Sequence, residues 1–130
     1  MLEVNAAKLA AERRSSDDII ILKNALKDYE AKIEQGAAAV EEDLLFHLKI
    51  AEASKNRALK SLMMIITPDI VKSFIDLKVC SDVRFKKTVQ EHHQIVGHII
   101  DQNVEAAGEA MRKHLTDVSE FSQNFDPRNT

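Results

Sequence analysis

EHHQIVGHII, residues 91–100, places three of the chain's five histidines among Ile and Val. Around it, Phe85, Val89, His92, Val96 and Ile99 recur at alternating spacings of four and three, the signature of one buried helical face. His92 therefore occupies an inward position in an otherwise apolar stripe. His93 lies about 100° away around the axis and His98 about 120° off the line of the stripe. The stretch predicts a helix with a buried imidazole, and the function turns on what that imidazole meets.

Two other segments repeat the pattern. Val104, Ala107, Met111, His114, Val118 and Phe121 form a stripe with a histidine at its centre, on a helix predicted from Asn103 to about Phe121. Val40, Asp43, His47 and Ile50 share a face of a helix predicted over Ala38–Ser54, where Asp43 and His47 stand one turn apart and can reach the same point. A lone histidine on an apolar face is ordinarily a satisfied core residue. Three helices that each bury one, with a carboxylate a turn away, instead suggest a shared partner, because unpaired buried polar groups are costly. The partner that suits them all is a divalent transition metal held by Asp43, His47, His92 and His114. Three imidazoles and one carboxylate fit Zn, Ni or Mn, or Co or Fe, and disfavour Mg and Ca. One carboxylate against a divalent ion would leave the centre positive and attractive to an anion.

The rest of the chain supplies the frame. At 130 residues with 45% hydrophobic side chains it can bury one core, and its three glycines, two prolines and absence of Trp predict an all-α domain of six or seven helices in an antiparallel bundle. The domain is expected over residues 1–124, with a polar tail at 125–130. A first helix over Leu2–Arg14 presents Leu2, Ala6, Leu9 and Arg13 on one face. Ser15 or Ser16 caps the next, which carries Ile19, Leu22, Leu26, Tyr29 and Ile33 and ends at Gly36. Asn56 caps a short helix, Arg57–Ile66, and Thr67 with Pro68 reads as the start of another. Asp82–Asp101 is the sixth of seven. The run LMMII at 62–66 reads as core, with a dimer interface as the next reading.

Scattered Lys and Arg and a formal charge of −3 leave no basic footprint for nucleic acid. The single Cys80 forms no internal disulfide, the N-terminus MLEVNAAKLAAERR lacks the apolar run of a signal peptide, and nothing approaches a membrane span. A cytoplasmic protein with no membrane association is expected.

The string DLLFHLKIAEASKN (43–56), followed by EHHQIVGHIIDQNVEAAGEAMRKHL (91–115), resembles the FCD domain, the ligand-binding domain of the FadR subfamily of GntR bacterial transcription regulators. The shared pattern is Asp-x-x-x-His ending in Phe-His, an Asn nine residues later, Glu-His-x-x-Ile, and Met-x-x-His ending 22 residues beyond the second histidine. LAAERRSSDDIIIL (9–22) resembles the start of that domain, whereas 57–90 match mainly by length and helical character. The resemblance implies a homodimerising helical bundle that senses a small organic acid at the metal, with Asp43, His47, His92 and His114 as ligands and no catalysis. Asn56, Arg84 and His98 become candidate effector contacts. His98 departs from the family's usual small apolar residue, and Asn103 replaces the usual acidic cap. The family's regulators bind DNA through a winged helix-turn-helix upstream; nothing here resembles one, so the chain reads as a piece beginning inside the first helix of the effector domain.

Two other classes remain beside this. A metal-dependent hydrolase needs a general base at an open position, and Glu42 and Glu91 adjoin ligands but are expected to point away from them. The Glu-x-x-His spacing of ferritin-like di-iron sites does not occur. A structural helical interaction domain would use its histidines in packing or as a zinc staple. Metal content, anion binding and turnover separate the three.

Overall fold

The structure, a computed structural model, describes the backbone of residues 1–76 and 82–124 and the side chains of 1–68 and 85–117. Within these residues six helices and no strands are present: α1 (Leu2–Arg13), α2 (Ser16–Glu34), α3 (Val40–Ala53), α4 (Arg57–Asp76), α5 (Asp82–Ile100) and α6 (Val104–Asn124). Short turns reverse the chain between α2 and α3, α3 and α4, and α5 and α6, and each of these pairs packs together.

Helix α1 runs through the middle, against α3, α4, α5 and α6. Its sequence explains the position. Ala6, Ala7, Ala10 and Ala11 are all fully buried, and such small side chains let neighbouring backbones approach closely. Gly108 of α6 meets α1 at this seam: a Cβ there would stand 2.6 Å from Lys8 Cγ. Around α1 the core is filled by Leu22, Phe46, Ile50, Met63, Ile95, Ile99 and Met111.

Local signals place the ends. Ser15 and Asp18 form a reciprocal capping box, the Asp18 amide donating to Ser15 Oγ at 3.1 Å and the Ser15 amide to Asp18 Oδ2 at 2.9 Å. Replacing Ser15 with alanine removes one acceptor and is expected to cost about 1 kcal/mol in urea unfolding; an unchanged midpoint would mean water replaces the cap. Gly36, at φ +81°, ends α2 with the Ala37 amide bonded back to the Lys32 carbonyl at 3.1 Å. Arg14 donates to the Ile100 carbonyl at 2.7 and 3.2 Å, tying the end of α5 to the turn after α1. Asn56 Oδ1 accepts the Leu59 amide at 3.0 Å and so caps α4, as expected.

Two expectations need correction. Thr67-Pro68 does not divide the chain; α4 continues through Pro68, forgoing the backbone bond to the Met64 carbonyl. Leu59, Met63 and Thr67 form one buried face across the would-be break, and the Thr67 hydroxyl turns inward to donate to Glu3 Oε1 at 3.0 Å instead of capping. Nor is LMMII core: only Met63 is buried, while Leu62, Met64, Ile65 and Ile66 are 43–71% exposed. A helix turns only about one residue in 3.6 to a given side, so a five-residue apolar run cannot all face inward. Cys80, the side chains of Arg84, Val118 and Phe121, and the tail at 125–130 lie outside the described residues.

Candidate metal centre

His47 of α3, His92 of α5 and His114 of α6 are all buried, and one nitrogen from each lies within 4.8 Å of the others. Ring centroids are 5.9 Å apart for His47 and His92, 5.9 Å for His47 and His114, and 5.2 Å for His92 and His114. Asp43 Oδ1 stands 3.3 Å from His47 Nε2 and 3.5 Å from His92 Nε2. The four residues expected to act together are thus brought together. Nitrogens bound to one tetrahedral ion at about 2.1 Å stand roughly 3.4 Å apart, so closure on an ion needs a contraction of an ångström or so.

The polar atoms here are short of partners. Among the described residues, Asp43 Oδ1, His47 Nδ1 and both nitrogens of His92 are buried without a hydrogen bond. Each such group costs about 1–3 kcal/mol when unpaired. Three such groups at one spot, Asp43, His47 and His92, fit a cation, and imidazole and carboxylate are ligands suited to a transition metal.

Electrostatics point the same way. Burial pushes the Asp43 carboxyl up, but the His47 and His92 rings beside it, 3.3 and 3.5 Å away, and the charges on them outweigh it and hold Asp43 well below the usual carboxylate range. Burial pulls His47 down; the Glu3 charge and the adjacent Asp43 carboxylate outweigh this and raise it to about 9. His92 falls to about 4, because burial and the neighbouring His114 and His47 charges prevail over Asp43. Without an ion, the cluster therefore holds its positive charge as a proton on His47. A metal must displace that proton, since only a neutral imidazole ligates. Affinity is accordingly expected to rise about tenfold per pH unit between roughly pH 6 and 8, measured by competitive Co²⁺ titration. An affinity independent of pH over that interval would contradict the displacement.

Two carboxylates join the cluster beyond those expected from the sequence. Glu91, expected to point away, is buried with Oε1 2.7 Å from His114 Nδ1. The reason is that the buried face of α5 is two stripes wide: Thr88, Glu91, His92, Ile95, Val96 and Ile99 are all buried. The Glu91 side meets α6, and its spacing to Thr88 and Ile95 was the available signal. Glu3, buried on α1 in line with Ala7 and Ala10, places Oε1 3.7 Å from His47 Nδ1. Counting Asp43, Glu3 and Glu91, the formal charge is −3, and a divalent ion brings it to −3 + 2 = −1. The expectation that one carboxylate leaves the centre positive is corrected: the set attracts a cation strongly and has no positive excess of its own.

The remaining candidates lie apart from this cluster. His98 is half-buried in the last turn of α5 and is not among the three converging histidines. His93 is exposed and pairs with Glu30 at 3.3 Å. Asn56 uses its side-chain oxygen on the α4 cap. Glu42 lines a surface groove with Ile21, Asn24 and Leu45. Among the described residues no helix is long and apolar enough to cross a membrane.

Comparison with known proteins agrees with the helical fold. The chain is 30% identical over 133 residues to the HTH-type transcriptional regulator LutR of Bacillus subtilis, covering 99% of this chain and 61% of that protein. It is 30% identical over 131 residues to the Uxu operon transcriptional regulator of Escherichia coli, covering 96% of this chain and 51% of that protein. It therefore spans between half and two thirds of each of these relatives. Among solved structures, E. coli McbR/YncC superposes with a TM-score of 0.82 at 16% identity, over 96% of this chain and 61% of that one, and shares the fold. Streptococcus agalactiae GntR superposes with a TM-score of 0.70 at 25% identity, over 94% of this chain and 53% of that one. The profile of the FCD domain matches residues 1–117, and the chain belongs to the FCD domain family.

Proposed function

We propose that this domain is the effector-sensing and dimerising part of a cytoplasmic bacterial transcriptional regulator of the FadR subfamily of the GntR family, and that it carries no catalytic activity. Asp43, His47, His92 and His114 hold a divalent transition metal, Zn, Ni or Mn, and a small organic acid joins them there through its carboxylate. The observation that carries this reading is the convergence of three buried histidines from three helices, with unpartnered polar atoms on Asp43, His47 and His92 among them.

The bound ion supplies open coordination positions for a carboxylate oxygen. Because Glu3 and Glu91 sit behind their histidines, the acid binds by direct contact at the ligand side of the rings and not through a long-range positive field. The Arg84 guanidinium offers the fork that a carboxylate takes, and His98 and the amide nitrogen of Asn56 are the other proposed contacts. Acid binding draws α3, α5 and α6 together, and a homodimer, with the exposed face of Leu62, Ile65 and Ile66 available to it, passes the change to DNA-binding modules outside this chain.

A hydrolase would need a base beside the open position. Glu91, the nearest in sequence, instead engages the outer nitrogen of His114. Thermal-shift screening of small carboxylic acids, with and without Zn²⁺, tests the sensor: stabilisation by an acid should require the metal and vanish in His92→Phe. Acids that stabilise the metal-free domain equally well would refute the metal-mediated mode.

A further inference from the structure

An imidazole that gives one nitrogen to an ion carries its proton on the other, and in a buried site that N–H needs an acceptor. His114 has one: Nδ1 lies 2.7 Å from Glu91 Oε1, both groups buried. His47 presents Nε2 to Asp43 and Nδ1 toward Glu3 Oε1 at 3.7 Å, where the Thr67 hydroxyl also donates. His92 is held differently. Its ring stacks on Phe46 at 3.9 Å and 13° and is flanked by Tyr29 at 4.7 Å.

We infer that Glu91 and Glu3 are positioning residues of the metal centre, fixing His114 and His47 with Nδ1 protonated and Nε2 turned to the ion. This role rests on the proposed metal site. The two carboxylates act unequally. Glu91 makes a direct hydrogen bond, whereas Glu3 stands beyond hydrogen-bond reach of His47 Nδ1, at 3.7 Å, and acts on it through its charge. Glu3 also has a second consequence: through Thr67 it links α1 and α4 to a ligand on α3, so loading the centre is felt at the start of α1.

The test uses the full chain, with Co²⁺ as both metal and spectroscopic probe. Glu91→Gln and Glu3→Gln keep side-chain size and are compared with wild type and with Glu109→Gln, an exposed control paired with Arg112. Expected are a ~10–100-fold loss of Co²⁺ affinity in Glu91→Gln, a smaller loss in Glu3→Gln, altered visible Co²⁺ bands in Glu91→Gln, and no change in the control. If Glu91→Gln and Glu3→Gln fold like wild type, bind Co²⁺ within about twofold of it and give the same spectrum, the inference is overturned. Long-range ¹H–¹⁵N spectra of the Zn²⁺-loaded wild type decide the matter without any variant. Nδ1–H on His47 and His114 supports the inference, and metal bound through Nδ1 of either overturns it. Failure of the wild type to bind metal would remove the functional reading together with this one, whereas binding unaffected by both substitutions would remove this one alone.

Discussion

Replacing His92 with phenylalanine is expected to weaken metal binding severely and yet stabilise the metal-free domain. The ring lies between Phe46 and Tyr29, a setting that accepts a benzene ring of nearly the same shape. What the substitution removes is two buried nitrogens without partners, each costing about 1–3 kcal/mol. The gain is a few kcal/mol at most, roughly several degrees in Tm. Metal affinity moves the other way: if a site worth ~10–16 kcal/mol is shared among four ligands, the loss of one is about a hundredfold or more. The pH dependence has a definite sign. The His92 pKa is depressed from 6.5 to about 4 in the folded chain, so its neutral form contributes stability above pH 6.5 that is lost as pH falls through 4. His92→Phe should therefore also flatten the acid limb of metal-free stability. A variant less stable than wild type at neutral pH would show that the imidazole has partners in solution that compensate its burial.

Phe46→Ala is expected to have the largest effect on folding. Phe46 is fully buried, stacks on His92 and meets His47 edge-on at 5.4 Å. Truncating a buried Phe costs about 3–5 kcal/mol, a large share of the ~5–15 kcal/mol that holds a typical domain. The loss should be visible as a lower urea midpoint, and added Zn²⁺ should recover part of it because the ion binds only the folded state. A loss under about 1 kcal/mol would mean that the cavity collapses and that Phe46 is not what holds the two histidines in place.

The clustering of these side chains is legible in the sequence because helical periodicity is a strong signal where one stripe is buried. His92, His114 and the Asp43/His47 pair fall out of spacings of three, four and seven. Glu91 escapes for the same reason turned around. A single stripe predicts that the residue beside His92 points outward, but α5 packs against α6 as well as α2, and the buried face is wide enough to include both. Glu3 is hidden by its type, since a charge near a helix start is usually solvated; only the alanines in line with it hint that this side of α1 is inside. Pro68 misleads because local propensity argues for a break while tertiary burial of Leu59, Met63 and Thr67 carries the helix through. For LMMII, hydrophobicity without periodicity cannot say which side chains face inward.

The most direct measurement is elemental analysis by inductively coupled plasma mass spectrometry of wild type and His92→Phe, both purified without an affinity metal column. One transition-metal ion per wild-type chain and clearly less in the variant is the expected result. Absence of metal from the wild type, even after incubation with Zn²⁺, Ni²⁺ and Mn²⁺, would contradict the metal centre and return the three histidines to the core as packing residues.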